Sequence, residues 1–259
     1  MAYDRLLERL YLMDDGWIVK GATALLARDI GVRATIDIDV YRDAGRDAAE
    51  ADLRRAAARD LGDWFRFEVR APRPLAGNGG IRLPVTAFVG NTVWAAFHVD
   101  LVGTDLRMTG EPEGVPPLAR VLIAGVEQHG YRAYPLVDHV ADKICAMFER
   151  RGSTEVPSTR YKDLVDLVAI VLAVSVKADP QTVALRSEAG RRNLRLPTRL
   201  TVPDRGLWAP GYAAEAERSL LPIARTLDEA LTVVRPFFDP LLDGTAHGTW
   251  QQRGARWAP

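Results

Sequence analysis

The chain has 259 residues, 47% of them hydrophobic, with 34 basic against 34 acidic side chains. That apolar content supports a real core and excludes wholesale disorder. A formal charge of zero excludes a polycation, so any nucleic-acid contact must come from a local patch. The single cysteine, Cys145, excludes an intrachain disulfide framework and a multi-cysteine zinc site, and its place on an apolar stripe reads as core. No basic segment followed by an apolar run opens the chain. The longest apolar run, Leu167 to Val176, is about half of the roughly 20 residues a bilayer span needs. A soluble, cytoplasmic protein without membrane contact is expected. Lysine is scarce: Lys20, Lys143, Lys162 and Lys177 stand among the 34 basic residues. A lysine kept in so arginine-rich a chain suggests that a compact ammonium is wanted there, with chance survival as the plainer alternative.

Residues 2–13 predict a helix with Leu6, Leu7, Leu10 and Tyr11 on one face. Trp17-Ile18-Val19 predicts a short buried strand, and Gly21 turns the chain into a helix over 23–29. Residues 35–40 alternate, with Ile36, Ile38 and Val40 on one face and Thr35, Asp37 and Asp39 on the other. A surface helix over 46–60 is followed by strands at 64–70, 82–89 and 93–102, the last two joined by the turn signal Gly90-Asn91-Thr92. Between the first two strands lies a glycine-rich stretch, Pro74 to Gly80, and residues 104–117 read as a linker or surface loop. Beyond it the pattern is helical: Leu136, Val140, Ile144, Met147 and Phe148 form an apolar stripe starting at Pro135. Ser158 is a candidate N-cap for a helix reaching Val176, Asp179-Pro180 for the next, and Thr226 with Glu229 fits a capping box for the last.

The fold class expected is α+β. A mixed-sheet domain with flanking helices over 1–117 precedes a helical domain over 118–259.

Asp37 and Asp39, two apart on one strand, project from the same face while isoleucines anchor the other. Carboxylates held that close repel unless a cation neutralises them, and magnesium prefers such hard oxygens. In phosphoryl and nucleotidyl transfer, paired metals activate the attacking hydroxyl and steady the leaving pyrophosphate. Asp100, inside the apolar strand Phe97-His-Val-Asp-Leu101, is the candidate third carboxylate, since a bare charge there is costly. Solvated strand residues are the bland alternative. His98 alternates onto the face of Asp100, though a packed or solvated histidine is the plainer reading. The glycine turn at Lys20-Gly21, entering a helix, can cradle a phosphate on backbone N–H groups.

Lys20-Gly-Ala-Thr-Ala-Leu25 followed by Arg33-Ala-Thr-Ile-Asp-Ile-Asp39 resembles the opening of the AbiEii-type nucleotidyltransferase toxins, which include the mycobacterial MenT group. Tyr134-Pro-Leu-Val-Asp-His-Val-Ala-Asp-Lys143 and Arg160-Tyr-Lys-Asp-Leu-Val-Asp-Leu167 resemble the family's later motifs, in the family's order. Two departures stand out: Ala22 replaces the second family glycine, leaving any hydroxyl contact to Thr23, and Asp138 replaces a glutamate. The last 80 or so residues carry no recognised motif.

The resemblance implies a nucleotidyltransferase-type sheet domain whose cleft is completed by a helical domain. It assigns Asp37 and Asp39 to two magnesium ions, with Asp100 as a third ligand or base, and Lys143 and Asp163 to the catalytic set, Lys143 touching an NTP co-substrate. Lys20, Gly21, Thr23, Thr35, Arg160 and Lys162 become candidates for nucleotide binding. The bland alternative makes Lys143 an exposed helix residue, and Asp163 and Asp166 helix-dipole acids.

Between 186 and 205 six arginines (Arg186, Arg191, Arg192, Arg195, Arg199 and Arg205) face two acids, a candidate footprint for an RNA backbone or merely a solvated face. By resemblance the protein is the toxin of a toxin–antitoxin system with a cognate antitoxin, and a monomer is expected. It would transfer NMP, a pyrimidine and CMP foremost, to the 3′ end of tRNA and so block aminoacylation. Alternatives are transfer to a small molecule or protein hydroxyl, or a non-catalytic nucleotide-sensing module that binds partners. Thr35, on the face of Asp37 and Asp39, is also a candidate for modification by the antitoxin, since added phosphate would repel the NTP.

Overall fold

The computed structural model describes residues 1–75, 80–103, 108–119, 124–151 and 155–259. Part of the glycine-rich stretch (76–79) and part of the expected linker (104–107) lie outside the described residues. The elements are α1 (Ala2–Tyr11), β1 (Trp17–Lys20), α2 (Gly21–Ala27), β2 (Asp37–Arg42), α3 (Arg46–Ala57), β3 (Phe65–Val69), β4 (Arg73–Pro74), β5 (Ile81–Val89), β6 (Thr92–Val102), β7 (Glu113–Val115) and β8 (Tyr131–Ala133). There follow α4 (Leu136–Phe148), β9 (Arg150–Arg151), β10 (Val156–Pro157), α5 (Tyr161–Ala173), α6 (Ala178–Arg191), α7 (Arg205–Glu217), α8 (Leu227–Asp243), β11 (Thr249–Gln251) and β12 (Arg256–Ala258). The fold is α+β.

The chain divides into two compact units. The first comprises Met1–Asp29, Thr35–Arg107 and Pro112–Tyr134. It holds one mixed sheet of eight strands in the order β3-β5-β6-β2-β1-β8-β7, with β4 paired to β5. Period-two alternation builds its core: Val19, Ile38, Val40, Leu83, Val85, Val99 and Leu101 are buried together with Leu6, Leu7 and Leu10 of α1 and Leu53 of α3. Among the described residues, Arg5, Arg9 and Asp63 are buried in company. Arg9 donates to both Asp63 oxygens at 2.7 and 2.8 Å, and Arg5 joins them. Burial pushes the Asp63 carboxyl up, but the two guanidinium groups outweigh it and hold the pKa below the usual range.

The second unit comprises Ile30–Ala34, Met108–Glu111 and Pro135–Pro259. Its centre is α5, apolar on nearly every side, with Leu164, Val165, Leu167, Val168 and Ile170 fully buried. The predicted stripe of α4 is buried at Leu136, Val140, Ile144 and Met147 beside Cys145. The C-terminal segment without a recognised motif supplies an aromatic plug: Trp250 meets Phe237 edge-on at 5.1 Å and donates its indole N–H to the Val171 carbonyl.

Several local expectations change. The strand expected from residue 35 begins at Asp37, and Ile36, expected in the core, is 65% exposed. Ser158 does not cap α5; its hydroxyl is buried and donates to the Ala146 carbonyl, and Arg160 holds the cap position. Asp179 lies inside α6, which starts after Lys177. The 104–117 loop contains β7, and β8 adds a further strand that the short Tyr131–Ala133 run gave no reason to expect. The Thr226–Glu229 capping box is present in full.

Glu8, buried in α1, accepts from the backbone N–H of His129 and pairs with its ring Nδ1. That hydrogen bond, and then the Glu8 charge, raise the His129 pKa. A raised folded-state pKa gives stability that is complete below the unfolded value of ~6.5 and is lost as pH rises through the folded value. His129→Gln should therefore lower the thermal midpoint more at about pH 5.5 than at about pH 9. An equal loss at both would show that the pair carries no charge-dependent stability.

Candidate active site

Register decides what meets on the sheet. β2 runs parallel to β6, setting Asp37 opposite His98 and Asp39 opposite Asp100. It runs antiparallel to β1, setting Asp39 opposite Lys20, while β5 places Arg82 opposite Asp100. Opposed residues share a face, so Lys20, Asp37, Asp39, Arg82, His98 and Asp100 gather on the face whose reverse is the apolar core. Arg82 donates from Nε and Nη2 to the two Asp100 oxygens, each at 2.7 Å, and Nη2 comes within 3.6 Å of Asp37. His98 Nδ1 lies 3.2 Å from Asp37 Oδ1. The Lys20 ammonium sits 4.2 Å over the Tyr134 ring. The Asp100 hydrogen bonds raise the Arg82 pKa; burial opposes them, and the charges of Asp100, Asp37 and Asp39 add to the rise, so the net shift is upward.

Gly21 begins α2 with φ +57°, and a Cβ there would fall 1.8 Å from Asp39 Oδ2. Only glycine lets β1 turn into α2 with the Asp39 carboxylate so close. Thr23 is fully buried and donates its hydroxyl to the Asp37 carbonyl, so it ties α2 to β2 and presents no hydroxyl to a phosphate. Thr35 precedes β2; its hydroxyl donates to the Asp37 carbonyl and accepts from the Asp37 N–H. That turn-like bonding replaces the shared strand face expected for Thr35.

In the second unit Lys143 is buried, contrary to the exposed-helix alternative. It donates to Asp163 at 2.9 Å and Asp166 at 2.7 Å. Arg33 forks onto both oxygens of Asp166 at 2.9 Å. Burial lowers the Lys143 pKa, but the two carboxylates outweigh it and the net shift is upward. Burial likewise raises Asp166, and Lys143 with Arg33 brings it below its usual value. Arg160 pairs with Asp163 at 3.1 Å, and Lys162 is exposed. Asp138, shorter than the family glutamate, accepts from the Thr109 and Gly110 N–H groups and the Thr109 hydroxyl, fixing that loop.

The arginine run is largely consumed internally. Arg192 pairs with Asp142, Glu149 and Glu188, Arg191 with Glu188, Arg199 with Asp239 and Arg205 with Asp228. Arg186 and Arg195 are exposed and form no ion pair among the described residues. No helix among the described residues is long and apolar enough to cross a membrane.

The family model described as nucleotidyl transferase AbiEii toxin, type IV toxin–antitoxin system, matches residues 5–240. The chain belongs to this family. It is a nucleotidyltransferase toxin of a toxin–antitoxin system, MenT-like in fold, and the match extends far into the segment that carried no recognised motif. Among solved structures it is similar to MenT4, a nucleotidyltransferase toxin from Mycobacterium tuberculosis H37Rv, at 17% identity and TM-score 0.62, over 93% of this chain and 82% of that one. A candidate nucleotidyltransferase from Helicobacter pylori matches at 15% identity and TM-score 0.50, over 94% of each chain. At such identities the likeness is one of fold. No curated protein matches the chain.

Nucleotidyltransferases use an NTP and a divalent metal. Among the described residues no three His, Cys, Asp or Glu side chains already converge on a metal position. The donor chemistry still fits: Asp37 and Asp39 are hard oxygen ligands on one face, and Gly21 clears the space beside Asp39. Asp100 is held by Arg82, which no sequence motif marks.

Gly21→Ala should cost at least about 1–2 kcal/mol from the left-handed backbone alone and displace Asp39. Thermal unfolding and nucleotidyl transfer should both suffer; a variant normal in both would refute the close approach. Lys143→Met should cost roughly 3–5 kcal/mol, because it strips a buried partner from Asp163 and Asp166. A thermal midpoint within a degree or so of wild type would contradict that accounting.

Proposed function

We propose that this toxin transfers a nucleoside monophosphate from an NTP, a pyrimidine and CTP foremost, to the 3′ acceptor end of tRNA, with magnesium held by Asp37 and Asp39. The observation that carries the reading is the carboxylate pair on one sheet face, with glycine required beside Asp39. Bound magnesium supplies charge neutralisation and polarisation at the triphosphate. The chain's own residues do the remainder. Asp37 and Asp39 bind the metal, His98 holds the Asp37 carboxylate, and Lys20 with the Gly21 backbone offers positive charge to the phosphates. Asp100 is the third carboxylate of the set. The family resemblance assigns Lys143 and Asp163 to nucleotide handling, and their mutual ion pair fixes both. Arg186 and Arg195, the exposed arginines of the run with no ion pair among the described residues, are offered to an RNA backbone, a smaller footprint than the whole arginine run. A cognate antitoxin is the other partner, and a cytoplasmic site of action fits all of these. The neutralised arginine run favours, as a second reading, a small molecule or protein hydroxyl as acceptor.

Incubation with each labelled NTP, magnesium and total tRNA, resolved on a gel, separates the two. Label should enter tRNA from a pyrimidine nucleotide; NTP turnover without labelled tRNA selects the second acceptor class. Asp37→Ala and Asp39→Ala should each reduce transfer by a factor on the order of 100 or more. Their thermal midpoints should stay at or above wild type, since each relieves like-charge repulsion. Near-normal transfer in either variant defeats the metal reading.

A further inference from the structure

Arg82 lies in β5, opposite Asp100, and no family motif points to it. Its two donated hydrogen bonds take one lone pair on each Asp100 oxygen, in the planar fork that suits a carboxylate. Its Nη2 also reaches toward Asp37. The guanidinium thus sits within a group of three carboxylates that would otherwise repel one another, the place where a divalent cation would do the same work. Its side chain is 36% exposed, so solvent is open to it when it leaves.

We propose that Arg82 is the resident counter-ion of the nucleotidyl-transfer site. It holds the Asp100 carboxylate in an ion pair and neutralises the acidic face, so that a divalent cation must compete with it and binds the free protein more weakly than the three carboxylates alone would allow. Arg82 is accordingly a positioning residue that acts through Asp100. This inference rests on the reading of Asp37 and Asp39 as the metal pair.

The test is titration of Mn²⁺ into the full chain without nucleotide, following loss of the free-ion electron paramagnetic resonance signal. Arg82→Gln removes the competing charge and should tighten Mn²⁺ binding about tenfold, equivalent to ~1.4 kcal/mol. Arg82→Lys keeps the charge but loses the fork and should tighten it by a smaller factor. Adding Asp39→Asn to Arg82→Gln should abolish the gain. If Arg82→Gln binds no tighter than wild type while Asp39→Asn still weakens both, the metal pair stands and the counter-ion role fails. If the gain survives Asp39→Asn, the ion sits elsewhere and both readings fail. No detectable binding to Arg82→Gln also overturns the proposal. Should Arg82→Gln not fold, the decision passes to Arg82→Lys, which must then bind Mn²⁺ at least about threefold tighter than wild type. An arginine that merely braces the sheet would lower the thermal midpoint without tightening metal binding.

Discussion

Like charges crowded on one face of a sheet impose the constraint from which the first unit's architecture follows. β2 and β6 must bury Ile38, Val40, Val99 and Leu101 on one side, and their alternation then obliges Asp37, Asp39 and Asp100 to share the other. Neighbouring strands answer that acidity with Lys20 from β1 and Arg82 from β5 at the matching register positions. Gly21 belongs to the same solution, because the chain must pass from β1 into α2 within contact distance of the Asp39 carboxylate. A one-residue slip of β2 would send the carboxylates into the core and the isoleucine out, so hydrophobic burial and site geometry enforce one another.

The second unit solves the opposite problem, a cluster of charges taken out of water. Asp166 receives a planar fork from Arg33 and a compact ammonium from Lys143, which also meets Asp163. The two cations are not interchangeable: the fork matches the two oxygens of one carboxylate, whereas the ammonium fits between two carboxylates of different residues. This supplies a physical reason for a lysine at 143 in a chain that otherwise prefers arginine. It also explains why residues 30–34, which lie between α2 and β2 in sequence, belong to the helical unit.

How much of this the sequence discloses depends on the range of the interaction. Strand alternation placed Asp37 and Asp39 on one face, and the apolar run around Asp100 marked its strand. Arg82 was invisible because the β5–β6 hairpin carries a register shift between Ala87 and Phe88. An unbulged hairpin would set Arg82 against Val99, and only the extra residue brings it to Asp100. Ile36 misled because alternation does not announce where a strand starts; pairing with β6 begins at Asp37 and pairing with β1 only at Asp39, leaving Ile36 outside. Ser158 had the chemistry of a cap, but the Ala146 carbonyl, distant in sequence, claims its hydroxyl. The Arg33–Asp166 fork, 133 positions apart, leaves no local signal at all.

The same lesson governs the charges. A chain with 34 bases and 34 acids could carry separated fields, but here many arginines are committed to specific acids. Arg5 and Arg9 clasp Asp63, Arg82 clasps Asp100, Arg33 clasps Asp166, and Arg192 binds three acids at once. Arginine abundance is in large part a way of closing buried or half-buried carboxylates with planar forks. Counting basic residues along a segment therefore overstates the field they project: an arginine already paired contributes a dipole, and screening reduces its reach further. Within 186–205, Arg186 and Arg195 are exposed without an ion pair among the described residues, whereas Arg191, Arg199 and Arg205 are exposed but each shares its charge with an acid.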